Sequence, residues 1–222
     1  MRATVPERVY TLLLVASILL IPAASASVIQ PTRTLPPAAG VYNVPDTCIM
    51  PVCLGNITIA NFVVTSSTIT SGNEVSESNA TLKADVFENI GGTPGLPIGP
   101  VVLTGSIDFI YFGRSSLGLL GTFNARITGL DLSGTFNSHT AQAMLNPDME
   151  STGVTTINEA PEGGFLVTSF FDVFGELSID GGSFVPGPPR HADLNQVPEP
   201  ATFGLVAIAL FAGARFRRSR RA

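Results

Sequence analysis

Asn56-Ile57-Thr58-Ile59-Ala60-Asn61-Phe62-Val63-Val64-Thr65 opens with strict alternation of polar and apolar side chains. Ile57 and Ile59 fall on one side, Asn56 and Thr58 on the other, the period-two signature of a strand with one buried face. The β-branched residues here suit a pleated, half-buried surface. Working outward, Thr81-Leu82-Lys83-Ala84-Asp85-Val86-Phe87 alternates in the same way, with Leu82, Ala84 and Val86 on one side. Residues 101–112 form a longer apolar strand ending in Ile107-Asp108-Phe109-Ile110-Tyr111-Phe112. Between these two, residues 91–100 hold Gly91-Gly92, Pro94-Gly95 and Gly99-Pro100 and read as a turn-dense loop.

Further along, Gly121-Thr122-Phe123-Asn124 recurs as Gly134-Thr135-Phe136-Asn137. Two strands joined by a turn would produce that echo, which is too short for a solenoid. Residues 164–174 and 176–179 have strand character, and Asp180-Gly181-Gly182 reads as a tight turn, because glycine adopts positive φ freely. The one candidate helix covers residues 139–145, ended by Asn146-Pro147. Residues 27–55 carry Pro31, Pro36, Pro37, Pro45 and Pro51 and read as an extended lead-in. Residues 186–196, with Pro186, Pro188 and Pro189, read as a linker. Short strands between Gly- and Pro-rich turns predict an all-β fold, an antiparallel β-sandwich over residues 56–185 with a jelly-roll topology as one form of it.

Both ends of the chain differ from this middle. Arg2 and Arg8 precede an apolar stretch over residues 9–21, Pro22 breaks it, and Ala24-Ser25-Ala26 supplies an A-x-A site. That is the pattern of a secretory signal peptide cut after Ala26, which implies the Sec translocation machinery. At the other end, Val197-Pro198-Glu199-Pro200-Ala201-Thr202 precedes an uncharged run over residues 203–214. Arg215, Arg217, Arg218, Arg220 and Arg221 follow it. Twelve helical residues cover roughly 18 Å, short of the ~30 Å hydrocarbon core. The segment is therefore a marginal transmembrane helix, extended a little by snorkelling arginine stems. Flanking positive charge stays cytoplasmic, which places the preceding chain outside. Pro198 and Pro200 hold the residues before them extended, a shape that a processing enzyme can grip.

This tail resembles the PEP-CTERM sorting signal of Gram-negative bacteria, carried by Val197, Pro198, Glu199 and Pro200, the apolar helix and the terminal arginines in order. The resemblance implies processing by an exosortase, a membrane-embedded cysteine transpeptidase-like enzyme. Release to the cell surface or into an exopolysaccharide matrix would follow, with the inner membrane as an intermediate station. The stretch from Ser151 through Gly182 also resembles one that recurs in such surface proteins, and it implies no defined activity. The alternative for the tail is a single-pass inner-membrane anchor that is never cut and leaves the protein facing the periplasm.

Residues 27–197 contain fifteen acidic side chains against five basic ones, Arg33, Lys83, Arg114, Arg126 and Arg190, a formal charge of −10. The chain total of −5 conceals this, since the two ends carry the other seven of its twelve basic residues. Such a domain has no electrostatic footprint for nucleic acid. Cys48 and Cys53 stand close together in a Pro-containing loop, and in an oxidising compartment they predict a disulfide. A metal site would need more ligands, and a redox motif would need C-x-x-C spacing.

Little else points to chemistry. Gly113-Arg114-Ser115-Ser116-Leu117 departs from the nucleophile elbow at its last position, and only His139 and His191 could serve as a base. The acidic residues define no specific glycosidase pair, and tryptophan is absent. Asp148, Glu150, Asp172, Glu176 and Asp180 lie on or near turns and could supply oxygen ligands to Ca²⁺, though without EF-hand spacing. The abundant phenylalanines, Phe109, Phe123, Phe136 and Phe171 among them, read as core. The expectation is a non-enzymatic surface or matrix protein without a cofactor. The alternative within its β domain is a module that binds polysaccharide or calcium.

Overall fold

The computed structural model describes residues 27–196. The expected signal peptide, the residues 197–200 motif, the apolar run and the terminal arginines lie outside the described residues. Within them the chain forms β1 (Val28–Gln30), β2 (Gly40–Val44), β3 (Thr47–Ile49), β4 (Val52–Thr70), β5 (Asn73–Ile90) and β6 (Thr93–Tyr111). There follow β7 (Gly121–Phe136), β8 (His139–Leu145), β9 (Ser151–Glu159), β10 (Phe165–Val173), β11 (Gly175–Ile179), β12 (Val185–Pro186) and β13 (Arg190–Gln196). The all-β, antiparallel expectation holds for these residues, and all thirteen strands belong to one hydrogen-bonded sheet.

That sheet closes on itself. β2 pairs β4, then β5, β6, β7, β9, β10 and β13 follow as neighbours, and β13 pairs β2 again. The sandwich expected from the turn spacing is thus corrected to a closed barrel, which removes the unpaired edges an open sheet would leave. The long strands β4 to β7 run on past the barrel. There they carry β3 on β4 and β8, β11 and β12 in succession on β7. One half of the molecule is therefore a barrel and the other an open, curled extension of the same strands.

The bending is written in β4. Val52 and Leu54 pack into the extension, Ile57 and Ile59 are buried in the barrel, and then Phe62 is buried. Each step changes the parity of the buried face. The changes fall at Asn56 and Asn61, whose φ values are 51° and 58°, beside register shifts against β5. Asparagine tolerates this left-handed conformation better than most residues, and each bulge sharpens the local bend. β5 needs no such step: Leu82, Ala84 and Val86 share the inner face, as its alternation predicts.

The barrel interior centres on Tyr42, Phe62, Phe109 and Phe171, with ring centroids 5.5–6.3 Å apart. Val86, Leu103, Phe136 and Leu177 fill the extension. The Gly121 and Gly134 echo lies within the single strand β7, not in two strands joined by a turn. A register shift near Gly129 changes the buried parity, so Phe123 and Phe136 are both inward despite their odd spacing.

Three further expectations are corrected. Residues 139–145 are strand β8 and not a helix: β7 and β11 pair it on both sides and its alternate residues Ala141 and Ala143 face the core. Tertiary pairing overrides the weak local propensity. The lead-in over residues 27–55 supplies β1, β2 and β3, and the turn-dense loop shrinks to Gly91-Gly92, with β6 beginning at Thr93. The linker over residues 186–196 is, from Arg190 onward, the barrel strand β13. Its prolines precede that strand, so every residue that must donate to the ladder retains its N–H.

Candidate functional site

The C-terminal boundary of the barrel is built by β13. Asp193 pairs with Phe170 on β10 and with Asn43 on β2, and Gln196 pairs with Gly40. Ala192 and Leu194 are buried. The strand is therefore a structural member clamped on both sides, and residue 197 follows it with no intervening spacer.

β1 uses the remainder of the same edge. It pairs Val28 to Gln30 with Val167 to Phe165 of β10, while β13 takes Phe170 to Val173 of that strand. β1 and β13 touch each other. The chain thus enters and leaves the barrel through neighbouring strands.

The predicted Cys48–Cys53 disulfide is formed. The two residues face each other in register across β3 and β4, so the bond fastens the short outer strand β3 to the long strand beside it.

Both histidines are exposed and engaged by aspartates. His139 Nδ1 lies 2.7 Å from Asp180 Oδ2, and the Thr140 amide donates to the same carboxylate. These bonds hold the Asp180 carboxyl below its ordinary range. His191 sits on β13 between two carboxylates, Nδ1 at 2.7 Å from Asp172 Oδ1 and Nε2 at 3.2 Å from Asp193 Oδ1. The Asp172 hydrogen bond raises the imidazole pKa, opposed by slight burial. Phe170 packs against the ring with centroids 4.9 Å apart.

Among the described residues no serine hydroxyl bonds either imidazole, and Ser115 lies in the connection between β6 and β7. Of the calcium candidates, Asp172 and Asp180 are held by histidines and Glu150 pairs with Arg126 at 2.7 Å. Asp148 lies in the turn after β8 and Glu176 on β11. Among the described residues no three His, Cys, Asp or Glu side chains gather in a metal-ligating group. No described helix is long and apolar enough to cross a membrane.

The reading from sequence missed a buried ion pair, Arg114 with Glu74. A signal existed: Glu74 shares the even-numbered inward positions of Ser76, Ser78 and Ala80 on β5. A carboxylate in such a row needs a charged partner, and only distant residues could provide it.

Residues 196–221 match the PEP-CTERM protein-sorting motif. No curated protein and no solved structure matches the chain. The match begins at Gln196, the last residue of β13, and takes in Val197, Pro198, Glu199 and Pro200 with the arginines through Arg221. The motif is a substrate signal for exosortase processing and directs export to the cell envelope or surface.

Proposed function

We propose that this chain is a non-enzymatic structural protein of the cell surface or extracellular matrix, delivered as a folded barrel and freed from its membrane tail by an exosortase. The observation that carries this reading is the junction at Gln196, where the sorting motif begins on the last residue of a clamped barrel strand. Only residues 197–202 separate that strand from the apolar run that begins at residue 203. The chain enters through β1 and leaves through β13, which share one edge of β10, an arrangement that suits attachment of the expected membrane segments at neighbouring points of the domain. A closed sheet without exposed long edges suits a protein that persists outside the cell at high local density.

The charge of −10 repels anionic polysaccharide unless divalent cations bridge the two. A calcium- or polysaccharide-binding role for the barrel is the second reading, resting on the carboxylates Asp148, in the turn after β8, and Glu176, on β11, which have no ion-pair partner among the described residues.

The test is intact mass of the protein from inner-membrane, surface and medium fractions of producing cells. Loss of residues 1–26 and of Arg215 to Arg221 in the surface or medium fraction is the expected result. A product that keeps the arginines and stays in the inner membrane would overturn it in favour of an uncut anchor.

A further inference from the structure

Two asparagines stand in the N-x-T pattern that oligosaccharyltransferases modify on exported chains, Asn56-Ile57-Thr58 and Asn79-Ala80-Thr81. The fold uses them differently. Asn56 sits at a bend of β4 with φ 51°, and its Nδ2 donates to Asp85 Oδ2 at 2.8 Å. Asn79 lies in the regular pairing of β5 with β6, exposed, and its carboxamide makes no hydrogen bond among the described residues.

Glu77, Asn79 and Thr81 alternate with the buried Ser76, Ser78 and Ala80, so they share the outer face. An extended chain thus presents a carboxylate, the acceptor amide and a hydroxyl in one row. Asn56 has Leu54 where Asn79 has Glu77, so the first pattern lacks the carboxylate. The surroundings leave room for a bulky group. Asn79 faces Val63 on β4 and Ser106 on β6, and direct partners share a face. Ser106 is short and exposed, and Val63 is 60% exposed. A sugar on Asn79 therefore meets a small hydroxyl on one side and an uncovered apolar side chain on the other.

We propose that Asn79 is an N-glycosylation site, modified during export by an oligosaccharyltransferase whose donor is a lipid-diphosphate-linked oligosaccharide. The Asn79 carboxamide nitrogen attacks the anomeric carbon at the reducing end of the sugar. A C–N bond forms and the bond from that carbon to the diphosphate oxygen breaks. The lipid diphosphate leaves with the electron pair, the amide proton passes to a basic group of the transferase, and nothing is oxidised or reduced. Modification precedes folding, because β4 and β6 flank Asn79 in the finished sheet and hold its backbone extended. The sugar then stands outside the barrel, adding uncharged, hydrated bulk to the surface. The site is independent of how the tail is processed and goes beyond the sorting role.

The test is mass spectrometry of the protein recovered from its native cells and cut with a glutamate-specific protease. Cleavage after Glu77 and Glu88 releases residues 78–88, which carry Asn79 without Asn56. That peptide is expected to bear a mass increment of one or more sugar units, with the innermost sugar on Asn79 after fragmentation. Asn79→Gln and Thr81→Ala lose the increment, while Thr81→Ser, which restores the hydroxyl, keeps it. If one of the first two variants fails to accumulate, the other decides. An unmodified 78–88 peptide from the exported protein, or an increment that survives in Asn79→Gln or Thr81→Ala, overturns the proposal. The readout is the same whether the arginine tail is kept or lost, so it fails or succeeds separately from the sorting reading.

Discussion

Arg114, in the connection between β6 and β7, buries its guanidinium completely and pairs with Glu74 on β5, which is shielded from water to the same degree. The rest of the guanidinium is also used. It donates to the carbonyls of Arg33, Leu117 and Leu119, while Ser67 donates to the other carboxylate oxygen of Glu74. Burial, aided by repulsion from Arg33, brings the Arg114 pKa down to about 10, so the group stays cationic at neutral pH. One side chain thereby ties the β6–β7 connection, the β1–β2 connection and β5 together at the end of the barrel.

Removing one partner leaves an uncompensated buried charge, which costs about 3–5 kcal/mol. Arg114→Met and Glu74→Gln are each expected to lower the unfolding midpoint in urea strongly. The double variant Arg114→Met with Glu74→Leu is expected to recover much of the loss, because replacing a whole buried pair by apolar groups is far less damaging. A double variant as unstable as the sum of the singles would refute this account.

Gly134 on β7 lies so close to the Val102 carbonyl of β6 that a methyl group would overlap it. Backbone atoms cannot swing aside as a side-chain end can, so Gly134→Ala is expected to cost about 1–3 kcal/mol. Chemical denaturation compares it with the wild type, and an unchanged midpoint would show that β6 and β7 can separate freely.

The Cys48–Cys53 bond closes a loop of a few residues, for which the chain-entropy argument gives about 2 kcal/mol. The unreduced protein is expected to take up no thiol label, and two labels after reduction. Reduction should lower stability by that modest amount and loosen β3 alone, which is visible as faster amide exchange at Thr47 and Ile49.

His191 has a folded-state pKa raised above its unfolded value by Asp172. Its contribution to stability is fully present below the unfolded pKa, near 6.5, and is lost as pH rises through the folded pKa. The ring is exposed, so the effect on overall stability is small. An NMR titration should show the raised pKa, and Asp172→Asn should lower it; no change in that variant would remove Asp172 as the cause.

A chain ending at Gln196 is expected to retain the unfolding transition of the whole domain. One ending at Pro189 lacks β13, so β10 and β2 lose their shared neighbour and the buried Ala192 and Leu194 are missing. It should fail to give a cooperative transition. Cooperative unfolding of the shorter chain would restore residues 186–196 to the status of a spacer.

Local chemistry alone settled much of this protein. The alternation at Ile57 and Ile59 and at Leu82, Ala84 and Val86 was legible because a half-buried strand repeats every two residues, whatever it pairs with. The closely spaced cysteines and the sorting motif were legible because both are short local patterns. Closure of the sheet was not, since it depends on pairings such as Gly121 with Ile157 and Gln196 with Gly40, between residues far apart in the chain. Nor was the strand identity of residues 139–145 and 190–196. Their own residues express weak preferences, and the partners on either side of each decide the outcome. Glu74 with Arg114 follows the same rule. Which buried polar group meets which, or meets none, is decided only when the folded chain brings distant residues together.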